Sequence, residues 1–197
     1  MSKEYKINSP KLVKVVTEGG VGVLPTDTLY GIVCSAKNKK SVEHVYELRE
    51  RNLKKPSIIL ISDIKDLKFF NIKPDKRTHE LLSQIWPGKV SVILPCVCKK
   101  CDYLHRGTKS LAFRLPDKTD LVGLIKKTGP LIAPSANLEG LLPATTIKEA
   151  HDYFEDAVDF YVSGGKLESL PSTIVEIKKG NLSVKRQGAV AIKIAER

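Results

Sequence analysis

Apolar residues recur along this chain at two spacings. Leu12, Val15 and Val16 share one helical face over Lys11–Glu18, Gly19-Gly20 ends that helix, and the unbroken apolar run Val21–Leu24 predicts a buried strand. Pro25-Thr26-Asp27-Thr28 reads as a turn, Leu29–Cys34 as a second strand, and Val42, Val45, Tyr46 and Leu48 mark a helix over Lys40–Arg51. Beyond Pro56, Ile58–Ile61 predicts a strand and Asp75–Trp86 a helix, and Pro87-Gly88 turns the chain into a strand at Val90–Leu94. Further strands are expected at Ser110–Leu115, Leu131–Ala133, Val158–Val162 and Ser172–Ile177, with helices near Lys118–Lys127 and Thr146–Phe154. Strands and helices alternating in this way predict an α/β fold, a mixed β-sheet with flanking helices. Cys96–Lys109 follows neither spacing, and this basic 14-residue stretch reads as a mobile flap over a site.

Composition narrows the class. At 197 residues, one domain spanning 1–197 is the expectation, and 42% hydrophobic with 28% charged residues excludes a disordered or collagen-like chain. The formal net charge of +11, spread as lysine doublets such as Lys54-Lys55 and Lys126-Lys127, predicts a basic surface that attracts nucleotide phosphates or nucleic acid. No apolar run reaches membrane-spanning length and Met1–Tyr5 leads into no signal-like stretch, so a cytoplasmic protein without membrane contact is expected. The four cysteines do not resemble a secreted disulfide framework, and reduced thiols are expected.

Common site signatures are missing. Gly164-Gly165-Lys166 is followed by Leu167 and is no P-loop, and Gly20-Val21-Gly22 follows a helix and is no dinucleotide fingerprint. Cys96, Cys98, Cys101 and His105 offer four donors without the separated second pair of a structural zinc site, so no metal site is assigned. His44, His79 and His151 fall within helices and read as structural. The pairs Asp63/Asp66 and Asp117/Asp120 stand at helix starts, where capping explains them better than catalysis.

Chemistry concentrates in four segments at element ends. They are Pro25–Gly31, Arg49-Glu50-Arg51, Pro134-Ser135-Ala136-Asn137, and a C-terminal group of Gly164-Gly165, Ser172-Thr173 and Arg186-Gln187-Gly188. Residues two apart on a helix point to opposite sides, so Arg49 and Arg51 converge only if the helix unwinds near Asn52. Together with Trp86-Pro87-Gly88 and Ala112-Phe113-Arg114-Leu115-Pro116, these segments resemble in kind and order the YrdC family of threonylcarbamoyl-AMP synthases, over nearly the whole chain.

That resemblance implies a twisted YrdC/RibB-like sheet with a concave basic basin. It implies a nucleotidyltransferase that condenses L-threonine, bicarbonate and ATP, with Mg2+ accompanying ATP, to threonylcarbamoyl-AMP and pyrophosphate. Downstream threonylcarbamoyl transferase proteins then modify adenosine 37 of tRNA. By position it implies ATP-binding roles for Arg49, Arg51, Ser135, Asn137 and Arg186, the three arginines being catalytic, and threonine-binding roles for Thr26, Tyr30, Arg114 and Ser172.

The sequence departs from the family pattern at several places. Arg49 stands for the usual lysine, Lys89-Val90-Ser91 follows Trp-Pro-Gly, Glu139-Gly140 follows Ser-Ala-Asn, and Ile58–Ile61 lacks a histidine found in some relatives. A carboxylate at Glu139 repels a triphosphate unless it turns outward or meets magnesium or a lysine. These departures also resemble the YciO branch, and the alternative is a non-catalytic module that uses the same basin to bind tRNA or double-stranded RNA.

Overall fold

The computed structural model describes residues 2–192; Met1 and residues 193–197, which the one-domain expectation includes, lie outside the described residues. In chain order the elements are β1 (Lys3–Glu4), α1 (Pro10–Thr17), β2 (Gly22–Pro25), β3 (Tyr30–Ser35), α2 (Lys39–Leu48) and β4 (Ile58–Leu60). A 3-10 helix (Ile64–Phe70), α3 (Lys76–Ile85), β5 (Val90–Pro95) and a 3-10 turn (Lys99–Cys101) running into α4 (Asp102–His105) follow. The chain continues through β6 (Ser110–Arg114), α5 (Thr119–Thr128), β7 (Leu131–Ile132), α6 (Ile147–Phe154), β8 (Phe160–Tyr161), β9 (Thr173–Lys178) and β10 (Asn181–Arg186).

Helix starts are fixed by short polar side chains. Asn38 Oδ1 accepts from Ser41 N, Asp75 Oδ1 from Thr78 N, and Thr146 Oγ1 from Glu149 N. Asp63 and Asp66 form a reciprocal capping box, as expected, whereas Asp117 caps nothing: Lys118 precedes α5, and Asp120 lies in its first turn.

The strands form one mixed sheet in the order β1-β8-β2-β3-β7-β4-β6-β5-β9-β10. β2 and β8, β4 and β6, and β5 and β9 run parallel, while β2 and β3, β3 and β7, and β5 and β6 are antiparallel. Helices cover both faces of β2 and β3, which explains why these strands read as continuous apolar runs. On β3, Ile32 and Cys34 face a cluster with Val42, Val45 and Tyr46 of α2 and Phe154 of α6. Val33 faces the other side, against Leu12 and Val16 of α1 and Leu121 and Ile125 of α5.

The flap expected at Cys96–Lys109 is instead packed. Cys96, Cys101, Leu104 and His105 are buried, the Tyr103 hydroxyl donates to Ala36 O at 2.7 Å, and Arg106 stacks 3.9 Å over the Tyr46 ring while pairing with Glu43 at 2.9 Å. Apolar contact, the Tyr103 hydrogen bond and the Arg106–Glu43 pair hold this segment without a regular period. Among the described residues no helix is long and apolar enough to cross a membrane.

Candidate active site

One face of the sheet stays open over β4, β6 and β5. Ile58, Ala112 and Ile93 lie side by side in register across these strands and are only half-buried, although the alternate positions Leu111 and Phe113 are fully packed. They floor a cleft of about 500 Å³ whose walls come from five distant segments. These are Thr26–Gly31, the chain after α2 at Arg51 and Pro56, Ala133–Ser135, Pro171-Ser172, and Arg186 at the end of β10; Ser110 and Arg114 flank Ala112 on β6, and Thr108 adds a hydroxyl at the rim.

At one end the Pro25 strand terminus makes a tight turn, closed by Thr26 N donating to Leu29 O at 3.1 Å. The Thr26 hydroxyl donates to Leu29 O at 2.7 Å and accepts from Thr28 N and, at 3.2 Å, from Arg114 Nη2. Arg114 is 4% exposed, and its Nη2 lies 3.1 Å from Asp27 Oδ1 in an ion pair whose two side chains are almost fully buried. Burial pulls the Arg114 pKa down, and the Asp27 charge opposes that shift. Among the described residues Arg114 Nε and Asp27 Oδ1 have no hydrogen-bond partner, so the pair is held by charge rather than by a saturated network.

Ser172 and the fully buried Ser91 of β5 share a hydrogen bond at 2.9 Å. Tyr30 is completely buried; its hydroxyl accepts from Gly164 N at 2.9 Å and donates to Gly165 O at 2.7 Å, so it ties the Gly164-Gly165 turn to β3. A side chain at Gly164 would lie 2.5 Å from Pro25, so the turn closes only with glycine there.

The other end is cationic. The helix expected to carry Arg49 and Arg51 stops at Leu48, and Glu50 takes a positive φ of 49° that reverses the chain. Arg51 rests on the carbonyls of Lys55 at 3.3 Å and Pro56 at 3.2 Å and lines the cleft. Arg186 donates to Ser172 O at 2.9 Å, and Gly188 lets this strand end press on Pro171 and Ser172, because a Cβ there would collide with their backbone.

Arg49 and Asn137 lie behind the Ser135 wall instead of among the lining residues. Arg49 is 2% exposed and donates from Nε to Asn137 O at 2.9 Å and from Nη2 to Asn137 Oδ1 at 3.1 Å. Burial and neighbouring Arg51 lower its pKa to about 10, which leaves it charged at neutral pH. Glu139 turns to Lys55 Nζ at 2.6 Å and accepts from Asn52 N, and these partners hold its carboxyl down at about 2. The carboxylate that the sequence sets beside the site is thereby neutralised by a lysine.

The structure thus gathers Thr26, Tyr30, Arg51, Arg114, Ser135, Ser172 and Arg186 around one cleft and sets Arg49 and Asn137 in the layer beneath. Sequence reasoning missed Asp27 and the supporting role of Ser91. A signal for Asp27 existed: an arginine on an otherwise apolar strand needs a nearby counter-charge. Which carboxylate supplies it depends on pairing that no local pattern encodes.

The cysteines lie away from this chemistry. Burial pushes the Cys34 and Cys101 thiols well above the usual range, and His105 Nε2 is 2.9 Å from Asp102 Oδ1. Among the described residues, no three His, Cys, Asp or Glu side chains are arranged to hold a metal ion.

The family Sua5/YciO/YrdC, described as "telomere recombination", matches residues 14–188. A threonylcarbamoyl-AMP synthase from Bacillus subtilis (strain 168) is 34% identical over 175 residues, covering 84% of this chain and 49% of the relative. One from Marinobacter nauticus is 33% identical over 171 residues, covering 85% of this chain and 90% of that protein. The chain therefore spans about half the length of the first relative and nearly all of the second. Among solved structures, E. coli YciO superposes with a TM-score of 0.86 at 24% identity over 98% of both chains. P. abyssi Sua5 complexed with L-threonine gives a TM-score of 0.84 at 22% identity, over 95% of this chain and 57% of that one. Both share its fold, and the match across residues 14–188 shows that the chain belongs to the Sua5/YciO/YrdC family.

Proposed function

We propose that this chain is a threonylcarbamoyl-AMP synthase, joining L-threonine, bicarbonate and ATP into threonylcarbamoyl-AMP, pyrophosphate and water. The observation that carries the reading is one cleft with three arginines from three distant segments, in a chain 33–34% identical to synthases of that name. Every substrate is anionic or zwitterionic, so the first requirement is fixed positive charge.

In this reading the amino acid sits at the Arg114 end. Arg114 takes its carboxylate and Ser172 offers a hydroxyl to its side-chain oxygen, while Thr26, whose hydroxyl is held by Leu29 O, Thr28 N and Arg114, walls the site. Asp27 makes that end close to neutral, which suits a zwitterion. The triphosphate lies toward Arg51 and Arg186, with Ser135 beside it. The threonine nitrogen bonds to the bicarbonate carbon with loss of water; a carbamate oxygen then attacks the α-phosphorus, and the bond to the bridging oxygen breaks to release pyrophosphate. Held reactants supply much of the rate, and the protein forms no covalent intermediate. Magnesium would enter with the triphosphate, its shell completed by phosphate oxygens and water, since among the described residues no carboxylate lines the cleft. A transferase then consumes the reactive anhydride and passes the threonylcarbamoyl group to tRNA.

The test is pyrophosphate release from MgATP by the purified chain. Release that requires threonine and bicarbonate together supports the reading, and replacing threonine by serine measures selectivity. Salt-sensitive RNA binding with no threonine-dependent turnover would overturn it in favour of an RNA-binding module.

A further inference from the structure

Two segments that line the cleft are pinned to each other beneath its surface. The chain after α2 and the Ser135–Leu141 loop are joined through Arg49 and Glu139. We infer that Arg49 is a positioning residue: its guanidinium fork holds the Ser135–Asn137 turn in place beneath the nucleotide end of the cleft, and Glu139 latches the same joint from the other side. The inference rests on the reading of the cleft as a nucleotide site, and it assigns Arg49 a role other than phosphate contact.

The contacts run in both directions. Arg49 Nε and Nη2 reach the backbone and side-chain oxygens of Asn137, Nη2 lies 3.5 Å from Ser135 Oγ, and Arg49 O accepts from Glu139 N at 2.9 Å. Asn137 spends its amide on Leu138 O and Leu141 O, both at 2.8 Å, so it orders the loop rather than facing the cleft. Among the described residues Arg49 Nη1 is buried and has no hydrogen-bond partner.

Glu139 completes the joint by binding Asn52 N and Lys55 Nζ, which bracket a turn whose Lys55 carbonyl carries Arg51. One latch thereby fixes Ser135, and the other fixes the seat of Arg51. A planar guanidinium can donate to both Asn137 oxygens at once in a fixed geometry; an ammonium at this position keeps the charge but not the fork.

The experiment compares Arg49→Lys, Arg49→Met and Glu139→Gln with Arg51→Lys, reading kcat and KM for ATP together with hydrogen exchange at the Glu139 and Ala144 amides. Glu139 N is held by Arg49 O and Ala144 N by Ala136 O. The expected result is that Arg49→Lys and Arg49→Met lose kcat alike, on the order of tenfold to a hundredfold as expected for a displaced catalytic wall, with KM for ATP little changed and exchange at both amides faster.

If Arg49 touches phosphate, lysine rescues most of the methionine loss, KM rises and exchange stays at the wild-type rate; that pattern overturns the inference. Glu139→Gln, which removes no buried charge, is expected to speed exchange and lower kcat more weakly; unchanged exchange and kcat in this variant count against the joint. Exchange is read without turnover, so an inactive wild-type chain would sink the proposed reaction while the joint is still judged on its own.

Discussion

At the Thr26 end of the cleft, charge is buried and matched, Arg114 against Asp27. At the opposite end Arg51 and Arg186 rest on carbonyl oxygens, and neither joins an ion pair among the described residues. The first arrangement is costly to assemble, and its charges are paired before any ligand arrives. The second leaves positive charge unspent, as an incoming polyanion requires. Substitutions at the matched end should therefore damage the folded state, and substitutions at the open end should damage turnover.

Removing one partner of a buried ion pair leaves the other uncompensated. Asp27→Asn is expected to destabilise the protein by about 3–5 kcal/mol, measured by urea unfolding, because Arg114 stays buried and charged. A loss below about 1 kcal/mol, the range of exposed pairs, would show that water already screens the pair. Arg186→Ala should behave in the opposite sense: kcat/KM for threonine-dependent pyrophosphate release falls on the order of a hundredfold or more. Its stability should change by no more than the roughly 0.5–1.5 kcal/mol of the hydrogen bond to Ser172 O. If the two variants exchanged these effects, the contrast between the ends would be wrong.

How far the sequence foretold this arrangement varies with the residue. Central strands such as Val21–Leu24 and Leu29–Cys34 were legible because both of their faces are buried, so apolar residues run on without interruption. β10 escaped notice because it is an edge strand of mixed polarity, Asn181-Leu182-Ser183-Val184-Lys185-Arg186, whose neighbour supplies the pairing. Cys96–Lys109 misled because its cysteines, Tyr103 and His105 pack individually. The hydroxyl and arginine types of the site were visible in their turns, yet Arg49 and Arg51 differ in fate through a backbone reversal at Glu50 and a partner, Asn137, about ninety residues away. Local pattern encodes what a side chain offers; the long-range pairing decides which atoms remain free to offer it.

A finer test of the matched end is Ser91→Ala. It removes the hydroxyl that shares a hydrogen bond with Ser172 and adds no bulk. A net loss near 1 kcal/mol is expected for a buried neutral hydrogen bond. Because Ser172 then turns more freely, KM for threonine should rise about fivefold, equivalent to roughly 1 kcal/mol, with KM for ATP unchanged. An equal rise in both constants would show that the two ends do not act separately.

The smallest effect expected is a pH response at the latch of the open end. Lys55 and the Asn52 amide favour the ionised form of Glu139 and hold its pKa at about 2 in the folded chain. In the unfolded chain that carboxyl returns to its ordinary range, about 4.3. Its contribution to stability is thus fully present above the ordinary value and is lost as the pH falls through about 2, the folded value. An NMR titration of the Glu139 side-chain carboxyl should give a midpoint near 2, moving upward in Lys55→Met because the Lys55 hydrogen bond is the largest cause of the depression. A midpoint in the ordinary range for the wild-type chain would mean that the latch stands open in solution. The seat of Arg51 would then be as loose as its exposure alone implies.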